Sequence, residues 1–176
     1  ADGKDLADLA RPYAMRFPGM AFFVPNGPDP CKMNPAGREW FDIDDRVNGP
    51  DYATPVIQTA ITALLTDSRL SGSALILAGF SQGGMMSLHC GLRLNPAPAA
   101  IVSFSGALLR HDELSASGST PYPPVQLVHG SDDQIVPCAL MHEAARILSP
   151  LGVEVETVER PGLGHGIDPD GLTASI

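Results

Sequence analysis

The chain has 176 residues, 44% of them hydrophobic, which is enough for one domain with a real core. Eleven Lys/Arg stand against twenty Asp/Glu, a net charge of −9 with no basic cluster, and this argues against nucleic acid and anionic membrane surfaces as partners. No apolar run suits stable membrane insertion, the start Ala1-Asp2-Gly3-Lys4-Asp5 lacks the features of a signal peptide, and the three scattered cysteines (31, 90 and 138) favour free thiols, so a reducing, cytoplasmic setting is expected.

Leu6, Leu9, Ala10 and Tyr13 have helical spacing and predict a short helix within residues 1–16. Met20-Ala21-Phe22-Phe23-Val24 reads as a strand stopped by Pro25. From Asn26 to Pro50 the composition turns to Pro, Gly, Asn and Asp, a long loop whose one large apolar pair, Trp40-Phe41, either lines a pocket or anchors the loop. Val56, Ile57, Ala60, Ile61, Leu64 and Leu65 mark an amphipathic helix over 51–68, with Pro55 in its first turns.

Ala74-Leu75-Ile76-Leu77-Ala78 is too short for a helix and predicts a strand buried on both faces. It runs into Gly79-Phe80-Ser81-Gln82-Gly83-Gly84, followed by a helical segment over 85–92. Further strands are expected at 100–105, 125–128 and 153–158, the last alternating with one face to water. The stretch 108–124 reads as a Pro-rich loop, 138–149 as a helix and 161–171 as a glycine-rich loop carrying His165. Strands separated by helices mean βαβ units: a single α/β domain over 1–176, with a mostly parallel sheet covered by helices on both faces and no internal repeat.

Gly-x-Ser-x-Gly between strand and helix is the pattern of a turn tight enough to strain its central residue, push the Ser81 hydroxyl out above the sheet and aim the Gln82 amide at any negative charge forming beside it. A chance glycine-rich loop is the competing reading. In an open parallel sheet the chemistry collects in loops after the strands, and three such loops hold Ser81, the Asp132/Asp133 pair and His165 in that order. A serine hydroxyl becomes nucleophilic when an imidazole takes its proton and a carboxylate orients that imidazole, and Ser…Asp…His is the order of α/β-hydrolases. His165 is the expected base. His129 is read as a structural hydrogen-bonder, His89 as packed or exposed within its helix, and His111 and His142 as solvated. Periodicity does not separate Asp132 from Asp133. Cys138 and His142 stand at i and i+4 on one helix, but no second pair supplies further ligands, so neither metal nor cofactor is expected.

His129-Gly-x-x-Asp133-x-x-Val136-Pro137, with the Ser81 motif, Gly164-His165-Gly-Ile-Asp-Pro-Asp-Gly-Leu172, and Pro25-Asn-x-Pro with Arg38-x-Trp40-Phe41, resembles the phospholipase/carboxylesterase family along essentially the whole chain. The resemblance implies an α/β-hydrolase fold with Ser81 as nucleophile, Asp133 as orienting acid, His165 as base and Gln82 as one oxyanion donor. Trp40, Phe41, Met85 and Leu163 are the expected substrate contacts. Family members usually carry N-terminal strands and a His-Gly-x-Gly turn ahead of a segment like residues 1–6, and the turn supplies a second oxyanion amide; the printed sequence shows neither. Unpaired strand edges would follow, and with them either a homo-oligomer or a poorly stable monomer if the short chain is complete.

The expected activity is a serine carboxylesterase for small-molecule esters of short to medium acyl chain, falling off below about pH 6.5, where free histidine titrates. The alternatives are an acyl-protein thioesterase or lysophospholipase on the same fold, and a non-catalytic hydrolase-like fragment.

Overall fold

Aliphatic runs of about five residues, each bounded by Gly, Pro or a loop, fold as strands when helices of ten or more residues return the chain between them. The computed structural model describes residues 6–115 and 121–175; the first five residues of the N-terminal helix reading and part of the 108–124 loop reading lie outside them. The chain divides into two units, Ala1–Asp67 and Ser68–Ser175.

In the first unit α1 spans Ala10–Arg16. The strand expected at 20–24 does not form: no strand of the described residues pairs with it, and Phe22 and Phe23 stay 40% and 54% exposed. β-propensity without a partner for its backbone groups leaves an extended segment, not a strand. Within the long loop, β1 (Asp29–Pro30) and β2 (Arg38–Glu39) form a minimal antiparallel pair. Arg38 closes it by donating from Nε to the Gly27 carbonyl at 2.9 Å and from its terminal nitrogen to the Pro28 carbonyl. The Pro25-Asn-x-Pro and Arg38-x-Trp40-Phe41 segments are thus two sides of one clasp. Helix α2 (Gly49–Ser68) starts two residues earlier than its apolar stripe suggests and buries Ala53, Ile57 and Ile61, while Val56 turns outward at 41% exposure.

The second unit is built on a parallel four-stranded sheet in the order β3 (Ile76–Phe80), β4 (Ala100–Phe104), β5 (Val125–Gly130), β6 (Val155–Arg160). The registers Phe80↔Phe104, Phe104↔Val128 and Val128↔Val158 bring the C-terminal strand ends to one edge, with β5 and β6 running two residues further to Gly130↔Arg160. β4 and β5 are buried almost throughout, as central parallel strands must be. β3, read as buried on both faces, is instead an edge strand with Ile76 43% exposed and Ala78 exposed. Its composition is that of an interior strand, but among the described residues it has one neighbour in the sheet.

Alternate β5 residues face opposite ways, and the helices follow that alternation. Val125 and Leu127 join one cluster with Leu88 of α3 (Gln82–Gly91) and Met141, Ala144 and Leu148 of α4 (Ala139–Leu148). On the other face, α5 (Pro169–Ala174) approaches Val128 through Gly171, and its Ala174 carbonyl accepts from the Gln126 side chain at 2.9 Å. Helices therefore cover both faces, as the βαβ reading requires.

Candidate active site

Where β3 becomes α3, Ser81 takes φ 54° and ψ −119°, a region that non-glycine residues avoid. Two backbone bonds over-determine it: its N–H donates to the Phe104 carbonyl at 2.8 Å, and its own carbonyl accepts from Met85 N–H at 3.0 Å. A Cβ at residue 79 would lie 2.2 Å from the Gly83 backbone, so only glycine lets strand and helix approach this closely. The second glycine of the motif answers to no such demand, since a Cβ at Gly83 would meet nothing within 4 Å. The spatial constraint read into both glycines thus belongs to Gly79 alone.

Asp132 and Asp133, which periodicity does not separate, differ in burial. Asp132 is exposed and accepts from the Ser131 hydroxyl at 2.6 Å. The Asp133 side chain is 0% exposed. Its Oδ1 accepts from the backbone N–H groups of Ile135 and Val136 at 2.9 and 2.8 Å. Its Oδ2 lies 2.7 Å from His165 Nδ1. Burial alone would raise the carboxyl's pKa, but the His165 hydrogen bond and the Val136 and Ile135 amides outweigh it and hold the group below the usual carboxylate value. A carboxylate that accepts from Nδ1–H leaves Nε2 of His165 as the acceptor, and Nε2 lies 2.9 Å from Ser81 Oγ.

Two further residues sit against this chain of contacts without a clear signal in the sequence. His129, 2% exposed, donates from Nε2 to the Val136 carbonyl at 2.7 Å and lies 3.3 Å from Asp133 Oδ2. The structural hydrogen-bonder is therefore also the neighbour of the buried acid. The Phe80 ring lies against the His165 ring at 4.8 Å between centroids, tilted 42°. The His165 loop is set by β5 and β6. A Cβ on Gly130 would fall 2.2 Å from the Leu163 carbonyl, and Asp132 N–H donates to that same carbonyl at 2.9 Å. At the loop's far end Arg160 donates to both oxygens of Asp168, whose Oδ1 also caps α5 by accepting from Gly171 N–H at 2.9 Å.

Gln82 is the first residue of α3, where the helix presents its positive end. Leu163 is half-buried in the histidine loop, whereas Met85, 1% exposed, presents almost no surface to a ligand. In the first unit Trp40 is partly buried. Phe41 is 1% exposed and packed so closely on Gly49 that a Cβ there would lie 2.5 Å from the ring, which anchors the loop to the start of α2. Among the other histidines, His89 is buried, His111 is exposed, and His142 is exposed and paired with Glu159.

A sequence profile of the Phospholipase/Carboxylesterase family matches residues 2–175. Acyl-protein thioesterase 1 of Gibberella zeae is 32% identical over 174 aligned positions, covering 86% of this chain and 72% of that protein. Esterase YpfH of Escherichia coli is 27% identical over 169, covering 93% and 70%. The crystal structure of esterase PE8 superposes with a TM-score of 0.93 at 37% identity, covering 99% of this chain and 84% of that one. A carboxylesterase from Mesorhizobium loti, at TM-score 0.83 and 18% identity over 99% and 81%, shares the fold. Profile, relatives and superposition agree: the chain belongs to the phospholipase/carboxylesterase family of α/β-hydrolases.

Proposed function

We propose that this hydrolase is a serine carboxylesterase that cleaves short- to medium-chain acyl esters through Ser81, His165 and Asp133. The observation that carries the reading is His165 held between the Asp133 carboxylate at 2.7 Å and the Ser81 hydroxyl at 2.9 Å. Ser81 Oγ attacks the ester carbonyl while Nε2 takes its proton; Asp133 keeps Nδ1–H in place and stabilises the imidazolium. The Gln82 amide, at the positive end of α3, is the proposed donor to the tetrahedral oxyanion. Nε2 then returns the proton to the departing alkoxide, leaving an acyl-Ser81 ester. Water, deprotonated by the same nitrogen, hydrolyses that ester and restores the serine. Leu163 is the proposed acyl contact in the histidine loop. Cys31, Cys90 and Cys138 are thiols and not disulfides, which fits a reducing, cytoplasmic setting.

A second reading, cleavage of thioesters on acylated proteins, is favoured by the name of the Gibberella zeae relative. The test is hydrolysis of p-nitrophenyl acetate, butyrate and octanoate beside the matching acyl thioesters, by the wild-type chain and Ser81→Ala. We expect the variant to lose about 10⁴-fold or more in turnover, with wild-type esters cleaved faster than thioesters. Equal activity in the two proteins would exclude Ser81 as nucleophile, and faster thioester cleavage would select the second reading.

A further inference from the structure

Cys138, the N-cap of α4, and His142 in its first turn stand four positions apart, a spacing that puts two ligands together but leaves a metal site short of a third. β6 supplies it. Glu159 sits near the C-terminal end of that strand, in register with His129 of β5, and its carboxylate lies 3.0 Å from His142 Nε2. The Cys138 sulfur, a His142 ring nitrogen and a Glu159 oxygen all lie within 4.8 Å of one another.

We propose that Cys138, His142 and Glu159 form a binding site for a divalent cation of the zinc class, one that ties α4 to β6. Thiolate, imidazole and carboxylate are a zinc donor set, and three protein ligands leave one tetrahedral position for water. Tetrahedral bonds of ordinary length separate the donors by about 3.3–3.8 Å, so the ion needs only small rotations of the side chains. Those side chains have room to rotate: His142 and Glu159 are 57% and 47% exposed, which also leaves the site open to entry. The carboxylates of Glu159 and Asp133 both act on the Cys138 sulfur, and their negative charge favours a cation there. As an exposed surface contact His142–Glu159 contributes little by itself; around a metal the same two side chains become two of three ligands.

The site lies behind the catalytic acid. Cys138 is two residues beyond Val136, whose N–H is bonded to Asp133 Oδ1, so an ion here fixes the far end of the loop that holds the acid.

The reduced, EDTA-treated chain is titrated with Zn²⁺ against a chromophoric chelator, and with Co²⁺ followed by absorbance. We expect one ion per chain, a rise in unfolding temperature on Zn²⁺ addition, and a near-ultraviolet thiolate-to-cobalt band. Cys138→Ser, His142→Ala and Glu159→Gln should each weaken binding by about tenfold or more, Cys138→Ser should also abolish the band, and Cys31→Ser should change nothing. His142 and Glu159 are surface positions, so their variants keep the metal-free fold even if Cys138→Ser does not. The site is excluded if the wild type binds no stoichiometric ion, if all variants bind alike, or if the cobalt band is missing or follows Cys31.

Discussion

Asp133 owes its state to a balance of opposed effects. Its side chain is fully buried, which favours the neutral acid, yet His165 and two backbone amides prefer the carboxylate and win. A carboxyl held below its unfolded value contributes stability that is fully present above about pH 4 and is lost as the pH falls through the folded-state value. Asp133→Asn removes this contribution. The gap in urea midpoint between wild type and Asp133→Asn should therefore be constant near neutrality and narrow on acidification below about pH 4; a gap unchanged down to pH 2 would mean that the Asp133 charge takes no part in stability. The serine and the histidine loop were legible in the sequence because glycine spacing and chain order announce them. Periodicity did not separate Asp132 from Asp133, since adjacent residues after a strand share it; only the motif resemblance pointed to Asp133, and it is Asp133 that lies buried against His165. His129 and Phe80 were missed as neighbours of Asp133 and His165 because their contacts arise from the meeting of loops distant in sequence.

At the scale of elements, the site depends on close backbone approaches. Gly130 ends β5 directly against Leu163 and Gly164, with no space for a methyl group. Gly130→Ala should push the His165 loop away from the strand, costing about 1–3 kcal/mol of stability and about 10²-fold in kcat through misplacement of the imidazole. Urea unfolding and ester turnover check the two effects separately, and a variant with unchanged turnover would show that the loop is positioned from elsewhere. Element types were readable where pattern and partner agreed: β4, β5, β6, α2, α3 and α4 all fall within a few residues of their predicted ranges. The segment 20–24 has equally strong β-propensity but finds no partner among the described residues, so its apolar residues alone predict the wrong state. The loop over 26–50 conceals the Arg38 clasp, because a side chain gathering two carbonyls leaves no periodic trace.

For the whole molecule, the parallel sheet and its two helical layers follow from the alternation of strands and helices, and the family likeness runs nearly end to end. The edge character of β3 was hidden, since Ala74-Leu75-Ile76-Leu77-Ala78 reads as an interior strand. An apolar edge strand with Ile76 43% exposed is a template for pairing with another chain. Light scattering of the purified 176-residue chain should accordingly show association, reduced by Ile76→Lys; a monodisperse monomer at high concentration would contradict it. The most direct measurement of all is covalent labelling by a fluorophosphonate, which reacts only with an activated serine. Peptide mass spectrometry should find the label on Ser81 in the wild type, and labelling should be lost in Ser81→Ala and strongly slowed in His165→Ala. No label on the folded wild-type chain, or a label on another serine, would contradict the triad assignment.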